Sequence, residues 1–392
     1  MRVLQLGKYY YPYMGGMENH LYLLCNELKK RVDLDVVVCN SEPKSRTDEV
    51  DGVRVTRCMQ VAHAASTSIC PTMPLEIARR QYDVMHIHFP HPMGVMSYLA
   101  ASAVRPSRSH AIVVTYHSDI VKQERLLRLY RPFMDHLLGR AAAIICTSPN
   151  YLAGSEQLAA HRDRCHVIPY GIDVSQFERT RAIEQEAAAI KARYHGRPLL
   201  IGVGRLIYYK GFEYAVRAMR DVDAELLLVG SGPLREPLEQ LAFACGVADK
   251  VHFVGEVHNQ ALAPYYFASD AYVLPSIARS EAFAIVQLEA MACGLPVVNT
   301  SIARSGVPFV SRDGESGLTV PPEDAPAFAR ALSTILKDPA LARRFGDAGR
   351  ARVHREFSKE VMTARTLALY RDVTGQAIRE PRPATSPYPG SP

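Results

Sequence analysis

Short β-rich runs alternate with helix-length stretches along this 392-residue chain, and the alternation starts afresh after residue 198. In the first half, VLQLG leads into a helical stretch from Gly15 to Lys30, and DVVVC follows. Then come VMHIHF with a helix from Gly94 to Val104, AIVVTYH and AAIICTS. In the second half, PLLIGVG precedes a helix from Phe212 to Met219, and AELLLVG precedes one from Leu234 to Cys245. KVHFVG, AYVLPS, LPVVNT and GLTVPP follow, with helices to about residue 370. Short apolar runs separated by helices are the mark of parallel strands buried on both faces and joined by crossovers. The pattern predicts an α/β protein of two Rossmann-like domains, with parallel sheets facing across a cleft.

The expected boundaries are an N-terminal domain over 1–172, a linker with one helix over 173–197, and a second domain over 198–360. A C-terminal helix over 361–378 is expected to pack back on the N-terminal domain, and the Pro-rich end, 379–392, to be a disordered tail. Ligands of such sheets collect at the carboxyl ends of the strands, so the informative residues should follow strands.

Lys and Arg number 46 against 40 Asp and Glu, a mild excess that favours anionic ligands or an anionic lipid surface. No nucleic-acid-binding signature accompanies it. The eight cysteines include no CxxC pair and stand mostly beside apolar residues, which suits a reducing cytoplasm. MRVLQLG is too short for a signal-peptide core, and no apolar run approaches the roughly 18–20 residues of a membrane span. The expectation is a soluble cytoplasmic protein, at most peripheral to the inner face of the plasma membrane.

In RSEAFAIVQLEAMACGLPVV, Glu281 and Glu289 stand eight positions apart after a strand ending at Pro275 and Ser276. On one regular helix they would be ~12 Å apart and turned by roughly 80°, too far for a close carboxylate dyad. Taken alone, the pair is ordinary solvated helix face or two ends of a longer ligand's site. Glu281 is expected in the loop, Glu289 inside a helix from Phe283 to Cys293, and free backbone N–H groups near Ala282 to Ala284 to face the cleft. Arg205 and Lys210, in VGRLIYYKG, read either as a solvated basic loop or as two cations meeting one diphosphate. Gly15 and Gly16, after the aromatic loop Tyr9 to Tyr13, read as a plain turn or a close approach to phosphate. His117, after strand VVTY, reads as structural or functional.

Together these pieces resemble the family 4 glycosyltransferases and their Glu-x7-Glu region. YYPYMGGME, YHSD, VIPYGID, VGRLIYYKG, VGSGP and VHFVG arrive in the family's order, covering nearly the whole chain to about residue 370. The resemblance implies the two-domain GT-B fold. It also implies that Arg205 and Lys210 hold the nucleotide diphosphate, that Glu289 binds ribose hydroxyls, and that Glu281 contacts the transferred sugar. By the same resemblance Gly15 and Gly16 would border the donor phosphates and the acceptor. Gly230 of VGSGP, Val254 of VHFVG, and Ala282, Phe283 and Ala284 would join the donor side. His117 would donate a hydrogen bond to the sugar or help position the acceptor, which makes Glu281, His117, Lys210 and Arg205 the candidate catalytic set. Many relatives keep glycine where Ala284 stands.

TSPNYLAGS and PSIARSEAF, with the stretch after VTYHSD, are similar to mannosyl- and D-rhamnosyl-transferases of bacterial O-polysaccharide or exopolysaccharide assembly. That resemblance implies a GDP-sugar donor, a saccharide or polyprenyl-diphosphate-linked acceptor, retention of anomeric configuration and no metal. The alternatives are a UDP-sugar-dependent transferase, a sugar-nucleotide epimerase, a dehydrogenase, and a non-catalytic sugar-nucleotide-binding subunit. GVGRLI and GSGPLR lack the third glycine or alanine of a dinucleotide fingerprint.

His86, His88 and His91 of HIHFPH look like a buried strand leaving its sheet rather than a zinc site. Asp33-Leu34-Asp35 and Asp221-Val222-Asp223 precede strand runs at the sheets' amino edges, opposite the expected cleft, which argues against a metal-binding role. Lys122, Arg125, Arg128 and Arg131 alternate with apolar residues, either as a solvated helix face or as a surface for anionic lipid.

Overall fold

A computed structural model describes the chain apart from residues 14, 65–66, 106–109, 121–123, 259–260 and 380–392; the side chains of residues 64 and 124–127 also lie outside the description. The expected disordered tail therefore falls almost wholly outside the described residues. The chain divides into two compact units. The first comprises Met1–Cys146, Ala160–Ile168 and the chain from Met362 on; the second comprises Thr147–Ala159 and Pro169–Val361.

The first unit contains strands β1 (Arg2–Leu6), β2 (Asp33–Cys39), β3 (Arg46–Val50), β4 (Val53–Cys58), β5 (Ala62–Ala64), β6 (Thr67–Ile69), β7 (Val84–Phe89), β8 (Ala111–Tyr116), β9 (Ala143–Cys146) and β10 (Cys165–Val167). Among the described residues, eight of them form one sheet in the order β10-β9-β8-β7-β1-β2-β4-β3, and β5 pairs only with β6. Every neighbour pair in the large sheet is parallel except β3 with β4. Helices α1 (Gly16–Leu28), α2 (Met73–Ala78), α3 (Pro92–Val104) and α4 (Glu124–Arg140) make the crossovers. All six residues of β7 are buried, as a strand covered on both faces requires.

The second unit holds helices α5 (Pro149–Gly154), α6 (Arg181–Ala192), α7 (Phe212–Ala218), α8 (Arg235–Ala244), α9 (Ala263–Ala268), α10 (Val286–Ala292), α11 (Val307–Val310), α12 (Ala325–Lys337) and α13 (Pro339–Glu356). Its strands are β11 (Leu199–Val203), β12 (Glu225–Val229), β13 (Val251–Gly255), β14 (Ala271–Val273), β15 (Val297–Thr300) and β16 (Gly317–Val320). They form a wholly parallel sheet in the order β13-β12-β11-β14-β15-β16. The reversal of strand order beside β11 is where such sheets open a crevice for a ligand. Residues 173–197, read above as a linker, are part of this unit: Ala187 and Ile190 of α6 lie in its core.

Helix α14 (Lys359–Thr374) starts in the second unit and continues in the first, where Met362, Leu367, Leu369 and Tyr370 share a core with Val3, Leu24 and Val84. All eight cysteines are free thiols, and six are buried. No helix of the described residues is long and apolar enough to cross a membrane. The two Asp-x-Asp strings sit at or before the starts of β2 and β12 and are engaged by arginines: Asp33 by Arg379, Asp35 by Arg54 and Arg80, Asp223 by Arg197.

Candidate active site

In the second unit the candidate residues gather at the carboxyl edge of the sheet. Two glycine-containing loops leave β11 and β12 side by side: Gly204 N–H bonds Val229 O at 2.9 Å and Leu206 N–H bonds Ser231 O at 2.8 Å. A side chain at Gly230 would stand 2.1 Å from Gly204 O, and Gly230 has φ 134°, so only glycine permits this approach. GVG and GSG are thus halves of one backbone crossing, rather than fragments of a dinucleotide fingerprint. Gly230 N–H also bonds Gly255 O at 2.7 Å, which brings half-buried Val254 to the same edge.

Lys210 ends a single helical turn, Tyr208–Lys210, and Gly211 follows with φ 62°. A Cβ at Gly211 would lie 2.1 Å from Pro275 O, and Ile277 N–H bonds Tyr209 O at 2.9 Å, so this turn is fastened to the loop after β14. The result is a buried ion pair: Lys210 Nζ lies 2.6 Å from a carboxylate oxygen of Glu281, both side chains being about nine-tenths covered. Ser276 Oγ donates to the same carboxylate at 3.2 Å, and Ser305 Oγ donates to the Glu281 carbonyl. Arg205 is exposed, and no described ion pair includes it. A sequestered ammonium thus lies five positions from an uncommitted guanidinium, beyond the same strand.

Glu281 and Glu289 do not share a helix. The expected helix from Phe283 to Cys293 begins later, at Val286, because Ala284 takes the left-handed conformation with φ 61°. Right-handed helix cannot pass through that residue. Among the described residues, nothing accepts from the backbone N–H groups of Ala282, Phe283 or Ala284. The Phe283 ring packs in the core, against Tyr170 and Phe357 at 5.0 and 6.1 Å. Glu289, half-buried on α10, accepts 2.8 Å from the Tyr266 hydroxyl of α9. Burial pushes its carboxyl upward, and the Tyr266 bond and Lys210 charge partly counter that.

The remaining candidates belong to the first unit. Gly15 and Gly16 open α1, where a side chain at Gly15 would strike the carboxylate of Glu18 at 2.3 Å and one at Gly16 would meet nothing. His117, just past β8, is buried with Nε2 3.0 Å from His88 Nδ1. Burial, then the neighbouring His20 and His86, hold its imidazole well below the ordinary range.

Ser276, Tyr266 and Ser305 were not read from the sequence. Ser276, directly after a strand run in AYVLPS, carried a positional signal; a tyrosine inside APYYFA carried none. The structure also corrects the grouping of the histidines. His91 sits apart, with Nε2 3.5 Å from Cys39 Sγ, while the donor atoms of His20, His88 and His117 all lie within 4.8 Å of one another.

Residues 14–176 match the domain described as glycosyltransferase family 4, and residues 184–352 match glycosyl transferases group 1. The chain is 33% identical to D-rhamnosyltransferase WbpZ of Pseudomonas aeruginosa over 364 residues, 91% of this chain and 92% of that protein. The chain is a family 4 glycosyltransferase. This glycosyltransferase is also 30% identical to O-antigen chain mannosyltransferase C of Escherichia coli, over 94% of the chain and 98% of the relative. Sucrose-phosphate synthase from Thermosynechococcus elongatus superposes with a TM-score of 0.76 at 26% identity, covering 96% of this chain and 100% of that one. The fold is GT-B and the enzyme is a hexosyltransferase, which takes its hexose from a nucleotide-sugar donor.

Proposed function

We propose that this glycosyltransferase moves a mannose- or D-rhamnose-type hexose from a GDP-sugar to a saccharide acceptor in bacterial polysaccharide assembly, with retention of anomeric configuration. The observation that carries the reading is the buried Lys210–Glu281 pair with exposed Arg205 nearby, at the ligand-binding edge of a parallel sheet. In this reading Arg205 takes the diphosphate in a bidentate grip and Lys210 supplies a point charge. The unpartnered N–H groups of Ala282 to Ala284 add donors, and Gly230 and Val254 line the donor. Charge that develops on the departing diphosphate is met by groups already in place, which is where most catalytic stabilisation arises. Glu281 faces the transferred sugar while it holds Lys210, and Glu289 takes the ribose hydroxyls.

Gly15 and Gly16 border the phosphates and His117 the sugar. The leaving phosphate oxygen takes the acceptor proton, so no separate base is required, and no metal is needed. The GDP preference follows the resemblance to D-rhamnosyl- and mannosyl-transferases. The acceptor is a growing saccharide, carried on a polyprenyl diphosphate. Helix α4 suits contact with an anionic membrane, because exposed Leu129 and Phe133 stand beside exposed Arg128 and Arg131. Lys122 and the side chain of Arg125 fall outside the described residues. Flotation with anionic liposomes at low salt should retain the protein, and failure to float removes the membrane contact.

A calorimetric panel of GDP, UDP, ADP and their sugars tests the donor. The account expects GDP to bind tightest and transfer to persist in a chelator; tighter UDP binding contradicts it.

A further inference from the structure

The turn between β1 and α1 exposes two aromatic rings and is tied down by buried groups. Tyr13 N–H bonds Tyr10 O at 3.2 Å and closes the turn over Tyr10 to Tyr13. Tyr10 is fully buried and shares a core with Leu21, Cys25, Val36 and Val38. Arg57 on β4, itself buried, donates to the carbonyls of both Tyr10 and Tyr11, while its Nε lies 2.9 Å from Asp48 Oδ2. A guanidinium out of water needs every partner it can find, and two of those found here belong to this turn. On the other side, the Tyr9 hydroxyl lies 2.7 Å from the Oγ of Ser68, a buried residue of β6.

Tyr13 stacks on Tyr9 with centroids 4.5 Å apart and planes 14° apart, and Tyr11 stacks on Tyr22 of α1 at 5.1 Å and 28°. Each of the two thus has one face covered by a partner ring, yet Tyr11 and Tyr13 are each 41% exposed. The open area of each therefore includes its opposite face. Tyr10 already anchors the turn in the core, so packing gives no reason for these two rings to stand outside. An open tyrosine face is an apolar surface with a polar tip: it can take the C–H face of a sugar ring while the hydroxyl bonds a sugar hydroxyl. A stiff ring on a turn already fixed also loses little freedom when a ligand settles on it.

We propose that Tyr11 and Tyr13 form a stacking platform for sugar rings of the saccharide acceptor. The proposal rests on the reading of the acceptor as a growing saccharide, and it assigns that acceptor a binding surface in the first unit. The place suits the role. Gly7, Lys8 and Tyr9 line one small cavity with His88, whose Nδ1 is 3.0 Å from His117 Nε2, so the turn starts beside the histidine edge of the sheet. From there it runs toward β4, where Arg57 holds it, and returns to Gly15 at the start of α1. Two open rings two positions apart suit a ligand that repeats a ring along its length, as an oligosaccharide does and a single sugar does not.

The test is calorimetric titration of the full-length protein, with GDP present, against three probes: α-linked mannotriose, the corresponding D-rhamnose trisaccharide, and mannose. One of the trisaccharides should bind wild type more tightly than mannose does. Tyr11→Ala and Tyr13→Ala should each weaken that trisaccharide about fivefold, the worth of one aromatic contact, and together should remove its advantage over mannose. Phenylalanine at both positions should keep most of the binding, because the ring faces remain. GDP affinity, measured on the same samples, should stay at the wild-type value in every variant. If the alanine pair does not fold, Tyr11→Leu with Tyr13→Leu carries the test, since leucine keeps apolar bulk and removes the flat ring. Undiminished trisaccharide binding in a folded double variant overturns the platform alone. Wild-type protein that binds neither trisaccharide overturns the saccharide-acceptor reading and the platform with it. Unchanged trisaccharide binding together with lost flotation on anionic liposomes would make the two rings a lipid contact, and also overturns the proposal.

Discussion

At the carboxyl edge of the first sheet the buried polar groups are neutral histidines, hydrogen-bonded through to Gln5, Thr115 and Tyr370; at the same edge of the second they are ions, Lys210 and Glu281, 2.6 Å apart. Hydrogen-bonded neutral rings can be buried without leaving a charge to be compensated. A buried ion pair is different: separating it leaves an uncompensated charge, at a cost of about 3–5 kcal/mol. In the proposed reading the second edge takes a charged ligand and the first a polar uncharged one. A diphosphate and a sugar are such a pair of ligands.

The largest expected effect comes from breaking the charged edge. Lys210→Ala should lower initial transfer rates about 1000-fold, the scale on which one preorganised charge-stabilising group acts. Glu281→Ala should likewise abolish most transfer, with circular dichroism showing both variants folded. Unchanged rates with the correct donor would remove the site assignment. Arg205→Ala sharpens the contrast, because Arg205 is exposed and no described ion pair includes it. Transfer should fall roughly 10- to 100-fold, the equivalent of about 1.5–3 kcal/mol for a charge-assisted contact, with the melting temperature unchanged.

The neutral edge should announce itself through acid. Burial holds His20, His86 and, apart from them, His91 at pKa values of about 3. Unfolded histidine titrates near 6.5, so below that pH the unfolded chain binds protons that the folded chain refuses, and stability falls as pH drops towards 3. Denaturant titrations at about pH 7.5 and 5.5 should differ by about 1 kcal/mol for each such histidine. No loss of stability over that interval would mean the rings are charged or exposed.

The smallest effect concerns Ala284. A left-handed alanine carries a cost of about 1–2 kcal/mol that glycine avoids, so Ala284→Gly should stabilise the chain by about 1 kcal/mol, read as a rise in urea midpoint. An unchanged or lower midpoint would show that the buried methyl repays its strain by packing.

Much of the fold was legible because parallel strands buried on both faces are largely apolar; β11, LLIGV, and β12, ELLLV, lie inside the expected runs PLLIGVG and AELLLVG. The edge strand β3, RTDEV, escaped because its residues are largely exposed and polar. The α10 boundary was missed for a local reason, since SEAFAIVQLEA has the composition of a helix and only the backbone at Ala284 interrupts it. Lys210 and Glu281 were candidates from motif and strand position, but the ion pair between them was not legible: it depends on Gly211 seating one loop against Pro275. The histidine network was less legible still. His20 lies on α1, Gln5 on β1 and Tyr370 on α14, and no spacing in the sequence links them.

The central claim is that the Lys210–Arg205 edge binds the donor's diphosphate. Isothermal calorimetry of GDP and guanosine against wild type, Arg205→Ala and Lys210→Met measures it directly. GDP should bind wild type far more tightly than guanosine, and the gap should collapse in both variants while guanosine binding stays the same. Equal weakening of guanosine and GDP, or an undiminished gap in the variants, would contradict it.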